Sequence, residues 1–399
     1  MAGPLAGLKV LELGTLIAGP FAARMFAEFG ADVIKVEDPR GGDPIRNWRY
    51  LHEGTSLWWY VQSRNKRSIT LNLKDSRGQA IARSLALDAD VIVENYRPGV
   101  LEKWGLGYEA LRANNPAAIM VRISGYGQTG PMRDMPGFGA IGESMGGIRY
   151  VSGHPDRPPV RIGISIGDSI AALHAVIGAL MALHHRDATG GRGRGEGQII
   201  DVALYEAVFN MMESTVPEYD RFGVVRERTG GALPGIVPSN TYACADGAIV
   251  VAGNGDAIFI RLMTAIGRPD LASDPALANN EGRVKRTAEI DDAIQSWCGE
   301  RPIDTALAAL KEADVPASRI YSVADMFADP QFAARAMIEQ SRLPDGTALK
   351  IPAVVPRLSQ TPGATHWLGP RLGQHTDEVL QALGHDARTI EALRREGVI

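Results

Sequence analysis

The opening of the chain restricts the fold more than any other part. Residues 8–13 (LKVLEL) read as a strand ending at Gly14, residues 20–29 as a helix closed by Gly30, and residues 31–37 (ADVIKVE) as a second strand. A strand, helix and strand at this spacing form a βαβ unit, whose home is a parallel sheet. The alternation continues with strands at 68–73, 89–93 and 118–123 and a helix at 76–87. The expected class is therefore α/β. The first turn reads Gly14-Thr15-Leu16-Ile17-Ala18-Gly19-Pro20. It is not the GxGxxG of dinucleotide-binding proteins, and Pro20 stands where a phosphate-gripping loop requires lysine. A glycine turn before a helix can receive a phosphate or an adenine ring, and it can equally be a tight turn and nothing more. Ligands of open α/β sheets sit beyond the carboxyl ends of the strands. Lys66, Arg67, Lys74, Arg97 and Lys103 fall at strand ends, a set of cations suited to a polyphosphate.

A second informative stretch is 159–186, PVRIGISIGDSIAALHAVIGALMALHHR. Residues 160–166 are β-prone, and Gly167 breaks the pattern. From Ile170 to Leu183 large apolar residues recur every three or four positions, the pattern of a buried helix. Asp168 then stands at the junction, a favoured N-cap position. Unpaired N–H groups and the positive end of the helix dipole keep a carboxylate there ionised, which makes it a candidate nucleophile. A helix cap and nothing more is the competing reading. The small neighbours Gly163, Ser165, Gly167 and Ser169 leave room for a substrate to approach.

Residues 124–147 are rich in Gly and Met and read as a flexible loop. Residues 199–204 read as a strand, followed by a helix through 212. After a linker-like stretch, residues 242–251 read as a hairpin turning at Asp246-Gly247, with helices at 257–266, 287–299 and 302–313. This is a second, smaller α+β domain. A chain of 399 residues, 45% hydrophobic, has enough apolar surface for two domains. The net charge of −4 and the lack of a basic tract argue against nucleic acid. Cys244 and Cys298 form no disulfide framework or metal signature, so no metal is expected. The start, MAGPLAGLKVLELG, has no signal-peptide pattern, and the apolar run 170–183 is shorter than the ~20 residues of a membrane span. The expectation is a soluble cytoplasmic protein with no membrane partner.

Taken together, LKVLELGTLIAGPFAARMFAEFGADVIKVE, NKRSITLNLK, VIVENYRPGVLEKWGLGYE, SGYGQTGP, the GDS at 167–169, TGGRGRGEGQIIDVALYEA, YACADGAIVVAGN and LGQHTDEVL resemble the family III CoA-transferases, the group named after CaiB and BaiF. The match runs nearly the whole length. The resemblance implies a Rossmann-like large domain built from both chain ends (1–212 and 371–399), a small α+β domain (239–329) and two linkers (213–238 and 330–370). It further implies an interlocked, ring-like homodimer. The family's nucleophilic aspartate falls on Asp168. CoA positions carried over from formyl-CoA transferases fall on Ile17, Ala18, Leu71, Asn72, Leu73, Lys74, Asn95, Tyr96, Arg97, Lys103 and Gly137. Asp38 stands where those relatives have a CoA-contacting arginine, and Arg40 is the candidate to replace it.

The implied chemistry moves CoA from an acyl-CoA to a free carboxylic acid through an aspartyl-CoA thioester. Coenzyme A and acyl-CoA enter as substrates, with no permanently bound cofactor. Glycines at 137–147 and 253–255 are candidates to stabilise the anhydride oxygens. The arginines of residues 218–238 suit a second carboxylate and point to a dicarboxylate such as succinate. Two other readings are an acyl-CoA racemase and a non-catalytic CoA-binding protein. The racemases pair the aspartate with a histidine, whose place is taken here by Phe138, and phenylalanine cannot act as a base. The retained Asp168 among small residues argues against a non-catalytic role.

Overall fold

The computed structural model describes residues 3–399. Contacts divide the chain into two compact units. One comprises the chain up to Ile148, Ile162–Glu213 and Ala333–Ile399; the other comprises Arg149–Arg161 and Ser214–Phe332.

The first unit is built on six parallel strands: β1 (Lys9–Glu12), β2 (Asp32–Glu37), β3 (Lys66–Thr70), β4 (Val91–Glu94), β5 (Ile119–Ser124) and β6 (Ile199–Ala203). Their order across the sheet is β3-β2-β1-β4-β5-β6. Side chains alternate between faces, and both faces are covered, so the strands read as apolar runs. Val10, Val33, Val91, Val93 and Val121 meet helix α1 (Ala18–Glu28) on one face. Leu11, Val36, Ile69, Ile92 and Met120 meet α2 (Ser76–Asp88) on the other. The last two helices of the chain, called α9 and α10 below, join this second face through Val379, Leu380, Ile390 and Leu393. Material from both chain ends thus builds one core.

Residues 124–147 include a short helix, α3 (Gly139–Met145), where a flexible loop is expected. The next helix, α4 (Ile166–Ala188), departs further from the sequence pattern. There is no strand at 160–166. Val160, Ile162 and Ile164 alternate, but they are exposed and no neighbouring strand pairs with them. The helix starts before Gly167, where a Cβ would lie 3.0 Å from both Glu143 and the Gly139 carbonyl. Its buried face is carried by Ala171, Ala172, Ala175, Ala179 and Ala182, which allow close approach to α1 and the sheet. Leu173, Ile177, Leu180 and Met181 stand exposed on another face. At 23 residues it is longer than the apolar run and, by length and composition alone, could cross a bilayer; its alanine face is nevertheless part of the core. Helix α5 (Leu204–Phe209) follows β6 directly.

The second unit has a three-stranded antiparallel sheet. Strands β7 (Ser239–Cys244) and β8 (Gly247–Ala252) form the expected hairpin, and β9 (Ala317–Arg319) pairs with β8. Helices α6 (Asp256–Ala265), α7 (Thr287–Gly299) and α8 (Ile303–Glu312) fall within a residue or two of their expected bounds. They bury Phe259, Leu262, Ile290, Ile294 and Leu310 against the hairpin.

The segment 333–370 is not an extended connection. It carries the hairpin β10 (Ile338–Arg342) and β11 (Ala348–Pro352), ahead of α9 (Thr376–Ala382) and α10 (Ala387–Arg395). Leu343, Ile351 and Leu368 bury against Ile45 and Trp59. Arg64 donates to the Pro352 carbonyl at 2.7 Å, and Asn65 Nδ2 to the Ala364 carbonyl at 2.6 Å. Prolines punctuate this segment, but its apolar residues still find a core. Ile351→Ala should therefore cost about 2–4 kcal/mol in chemical denaturation, the range for a buried large-to-small change; an unpacked linker would give a value near zero.

Candidate functional site

The sheet reverses direction of growth between β1 and β4, since β2 and β3 lie on one side of β1 and the later strands on the other. Such a switch point opens a crevice at the carboxyl ends of the strands. Here the turn after β1 and the turn after β4 are joined by one side chain. Asn95 Oδ1 accepts the Thr15 N–H at 2.8 Å, and Asn95 Nδ2 donates to the Thr15 carbonyl at 2.8 Å. Gly14 has no side chain because a Cβ there would lie 3.0 Å from Asn95 Oδ1. Beside this clamp lies a cavity of about 270 Å³. Thr15, Asp38, Leu71, Asn72, Leu73 and Lys74 line it, with the rings of Tyr96 and Trp104.

Beneath the turn is a buried charge cluster that sequence reading missed. Lys35 Nζ reaches Glu12 Oε1 at 2.7 Å, Asp43 Oδ2 at 2.9 Å and the Gly14 carbonyl at 2.8 Å. Lys66 Nζ reaches Glu12 Oε2 at 2.7 Å and the Pro20 carbonyl at 2.7 Å. Asp43 accepts the Leu16 N–H at 3.0 and 3.1 Å, holding Leu16 in a left-handed conformation of φ 66°. Glu37 takes Arg46 through two bonds of 2.7 and 2.8 Å, and the guanidinium lies over the Trp59 ring. Burial opposes the charge on Lys35, but Asp43, Glu12 and Glu37 outweigh it and hold the ammonium above its ordinary range. Burial pulls Lys66 down to about 8, with Glu12 offsetting part of the effect. The signal was present as Glu12, Lys35 and Glu37 inside otherwise apolar strands.

Of the expected crevice residues, Leu71, Asn72, Leu73, Lys74 and Tyr96 line the cavity, and Asn95 forms the clamp beside it. Ile17 and Ala18 are buried at the start of α1, where the Ile17 carbonyl accepts from Gln62 Nε2 at 3.0 Å. The Asn72 N–H donates to the Val398 carbonyl at 2.7 Å, and its side chain accepts from the Lys74 N–H at 3.1 Å. Lys74, Arg97 and Lys103 are exposed. Arg40 is exposed and grips Asp38 through bonds of 3.0 and 2.6 Å, which draws the Asp38 carboxyl down to about 2. Its guanidinium is thus engaged by Asp38, the residue standing where the relatives' arginine would be.

Two cations lie elsewhere. Lys66 belongs to the buried cluster. Arg67 stands at the amino end of β3, paired with Asp32 at 2.9 Å and Glu378 at 3.3 Å. Parallel register with β2 sets both at the start of the strand rather than at its carboxyl end. Gly137 is not part of the cavity wall either. Its Cα packs on Gly125, where a Cβ would lie 2.8 Å away.

Asp168 is not the helix cap. Ser165 is the N-cap, and Asp168 is the third residue of α4, still inside the first turn where the dipole favours an anion. Its carboxylate rests directly on Gly139, so that a Cβ at 139 would overlap Asp168 Oδ2. Gly167 and Glu143 pack beside it, with Glu143 almost fully buried. Phe138 precedes α3 and is 66% exposed, so no imidazole occupies that position. Gly253 and Gly255 belong to the second unit; at Gly253 the Leu262 side chain fills the space a Cβ would need. Of the arginines at 218–238, Arg226 pairs with Glu218 at 2.7 Å and Arg228 donates to the Tyr150 carbonyl at 2.8 Å.

These features define an open α/β protein with a ligand crevice at its sheet reversal. The family model for CoA-transferase family III matches residues 5–376, and the chain belongs to that family of CoA-transferases. It is 51% identical to succinyl-CoA–D-citramalate CoA-transferase of Chloroflexus aurantiacus, over 95% of this chain and 94% of that one. It is 36% identical to succinate–glutarate CoA-transferase of Agrobacterium fabrum, over 97% of both. The crystal structure of a CaiB/BaiF family protein from Brucella suis superposes with a TM-score of 0.83 at 36% identity, covering 96% of this chain and 100% of that one.

Glu12→Gln should expose how much of the crevice floor depends on one carboxylate. It removes the shared anion of two buried ammonium groups, and breaking such pairs costs about 3–5 kcal/mol. Urea denaturation at pH 7 should register that loss.

Proposed function

We propose that this CoA-transferase exchanges CoA between small dicarboxylic acids, with succinyl-CoA as a donor, through a covalent intermediate on Asp168. The observation that carries this reading is the seat of Asp168, a first-turn carboxylate resting on a bare glycine. The dicarboxylate assignment is supported by the substrates named for the relatives. The crevice at the sheet reversal holds the nucleotide end of CoA. Thr15, Leu71–Lys74 and the Tyr96 and Trp104 rings supply its walls, Lys74 among them supplies charge for the phosphates, and the exposed Arg97 and Lys103 of the Tyr96 loop add to it.

An Asp168 oxygen attacks the thioester carbonyl, the C–S bond breaks, and a mixed anhydride and CoA thiolate result. The thiolate attacks the aspartyl carbonyl carbon, releasing the donor carboxylate and leaving an aspartyl-CoA thioester. The acceptor carboxylate attacks that thioester, giving a second anhydride and free thiolate. Attack of the thiolate on the acceptor's carbonyl yields the new acyl-CoA and regenerates Asp168. Each thioester replaces another, so no nucleotide triphosphate enters.

Asp168→Asn keeps the side chain's shape and forfeits about 0.3–1 kcal/mol of dipole stabilisation, while transfer should fall by about 10³-fold or more. Gly139→Ala displaces the carboxylate without touching it chemically and should cost about 10²-fold. Peptide mapping after hydroxylamine trapping should place the label on Asp168. A folded Asp168→Asn variant with near wild-type turnover, free of deamidated protein, would end this reading.

The exposed stripe of Leu173, Ile177, Leu180 and Met181 on α4 supports assembly as a homodimer, interlocked as the family resemblance implies. Interlocked chains cannot exchange without opening. Tagged and untagged protein mixed under native conditions should form no hybrid over hours, whereas rapid hybrid formation would exclude interlocking.

A further inference from the structure

Arg122 lies in β5, 5% exposed, in register with Glu94 of β4. Its Nε donates to Glu94 Oε1 at 2.7 Å. Its Nη1 and Nη2 donate to Glu102 at 2.7 and 3.3 Å. Glu94 is the last residue of β4, and Glu102 lies in the one-turn helix Val100–Lys103. One guanidinium therefore holds both ends of the segment between them. Inside that span, the Tyr96 N–H donates to the second oxygen of Glu94 at 2.8 Å. Tyr96 meets Trp104 edge-on at 5.2 Å between centroids, and both rings wall the crevice. Arg97 and Lys103 belong to the same stretch.

The planar fork of arginine suits this task, since it bonds two carboxylates in fixed directions where lysine offers a single point charge. Burial pushes the Glu94 carboxyl up to about 7, and Arg122 works against that rise. Without Arg122 the Glu94 carboxylate at the root of the loop would lose the guanidinium it pairs with.

We propose that Arg122 is a positioning residue for CoA binding: by fastening Glu94 and Glu102 together it sets the Tyr96 and Trp104 walls and the flanking cations at the distance the ligand requires. This rests on the crevice being the CoA site.

Three variants test it, each measured for KM toward succinyl-CoA, kcat and melting temperature. Glu102→Gln removes the charge and one acceptor at one end of the loop but leaves the buried Arg122–Glu94 pair intact, and the melting temperature reports whether the fold is disturbed. Arg122→Lys keeps the charge and loses the fork. Lys74→Ala reports on the crevice independently, because Lys74 lies outside the loop. The expected result is KM raised about tenfold in Glu102→Gln and more in Arg122→Lys, with kcat within about twofold, and KM raised in Lys74→Ala as well. If Lys74→Ala raises KM while both loop variants keep the wild-type value, the positioning role is overturned and the crevice reading stands. A fall of kcat and melting temperature together, without a KM effect, would mean a structural role only and also overturns it. Unchanged KM in all three variants overturns the crevice reading and the proposal with it.

Discussion

Everything at the ligand end of the sheet rests on the carboxylate of Glu12. It is fully buried and accepts two ammonium groups, Lys35 from the neighbouring strand and Lys66 from the next one out. Ions so deep are costly unless each has partners, and here each has two or more. The arrangement ties three neighbouring strands to one another. Through Asp43 it also sets the backbone of Leu16, and so the exit angle from β1 into α1. A βαβ turn without a glycine fingerprint gets its shape from charge packed below it.

The same logic recurs at the other two turns around the crevice. Arg122 gathers the loop after β4, and Arg46 gathers the segment after β2 through Glu37 while stacking on Trp59. Each arginine is nearly buried and bonds a carboxylate with fixed geometry. The surface cations Lys74, Arg97 and Lys103 are left exposed at this rim. Buried, paired charges and exposed ones are thus separated by depth.

How much of this was legible in the sequence depended on distance along the chain. Local periodicity located the strands and the helices 287–299 and 303–312 closely, because packing of an apolar face leaves a repeating trace. The alternation at 160–166 misled, since a strand needs a partner as well as a pattern. Asp168 was legible as a carboxylate near a helix start, though as the cap rather than the third helical residue, and not as a neighbour of Gly139, a contact between segments 29 residues apart whose only trace is a missing side chain. Glu12 meets lysines 23 and 54 positions away, and the cluster shows in sequence only as charges misplaced in apolar strands. That Arg40 turns back onto Asp38 depends on side-chain geometry, which no spacing encodes. The hairpin in 333–370 was hidden by prolines that mark turns as readily as they mark linkers.

The Asn95 clamp has a consequence for the chemical ageing of the protein. An amide both donates and accepts, and this one does each once, to the carbonyl and the N–H of a single residue, Thr15. Hydrolysis of the amide to a carboxylate would change the side chain by one atom's identity and leave its size unaltered. The carboxylate can still accept from Thr15, but it has no hydrogen to give and would face the Thr15 carbonyl with like partial charge. A lesion of about one dalton, silent in a denaturing gel and in far-ultraviolet spectra, would thus unfasten the two sides of the sheet reversal at the point where they meet.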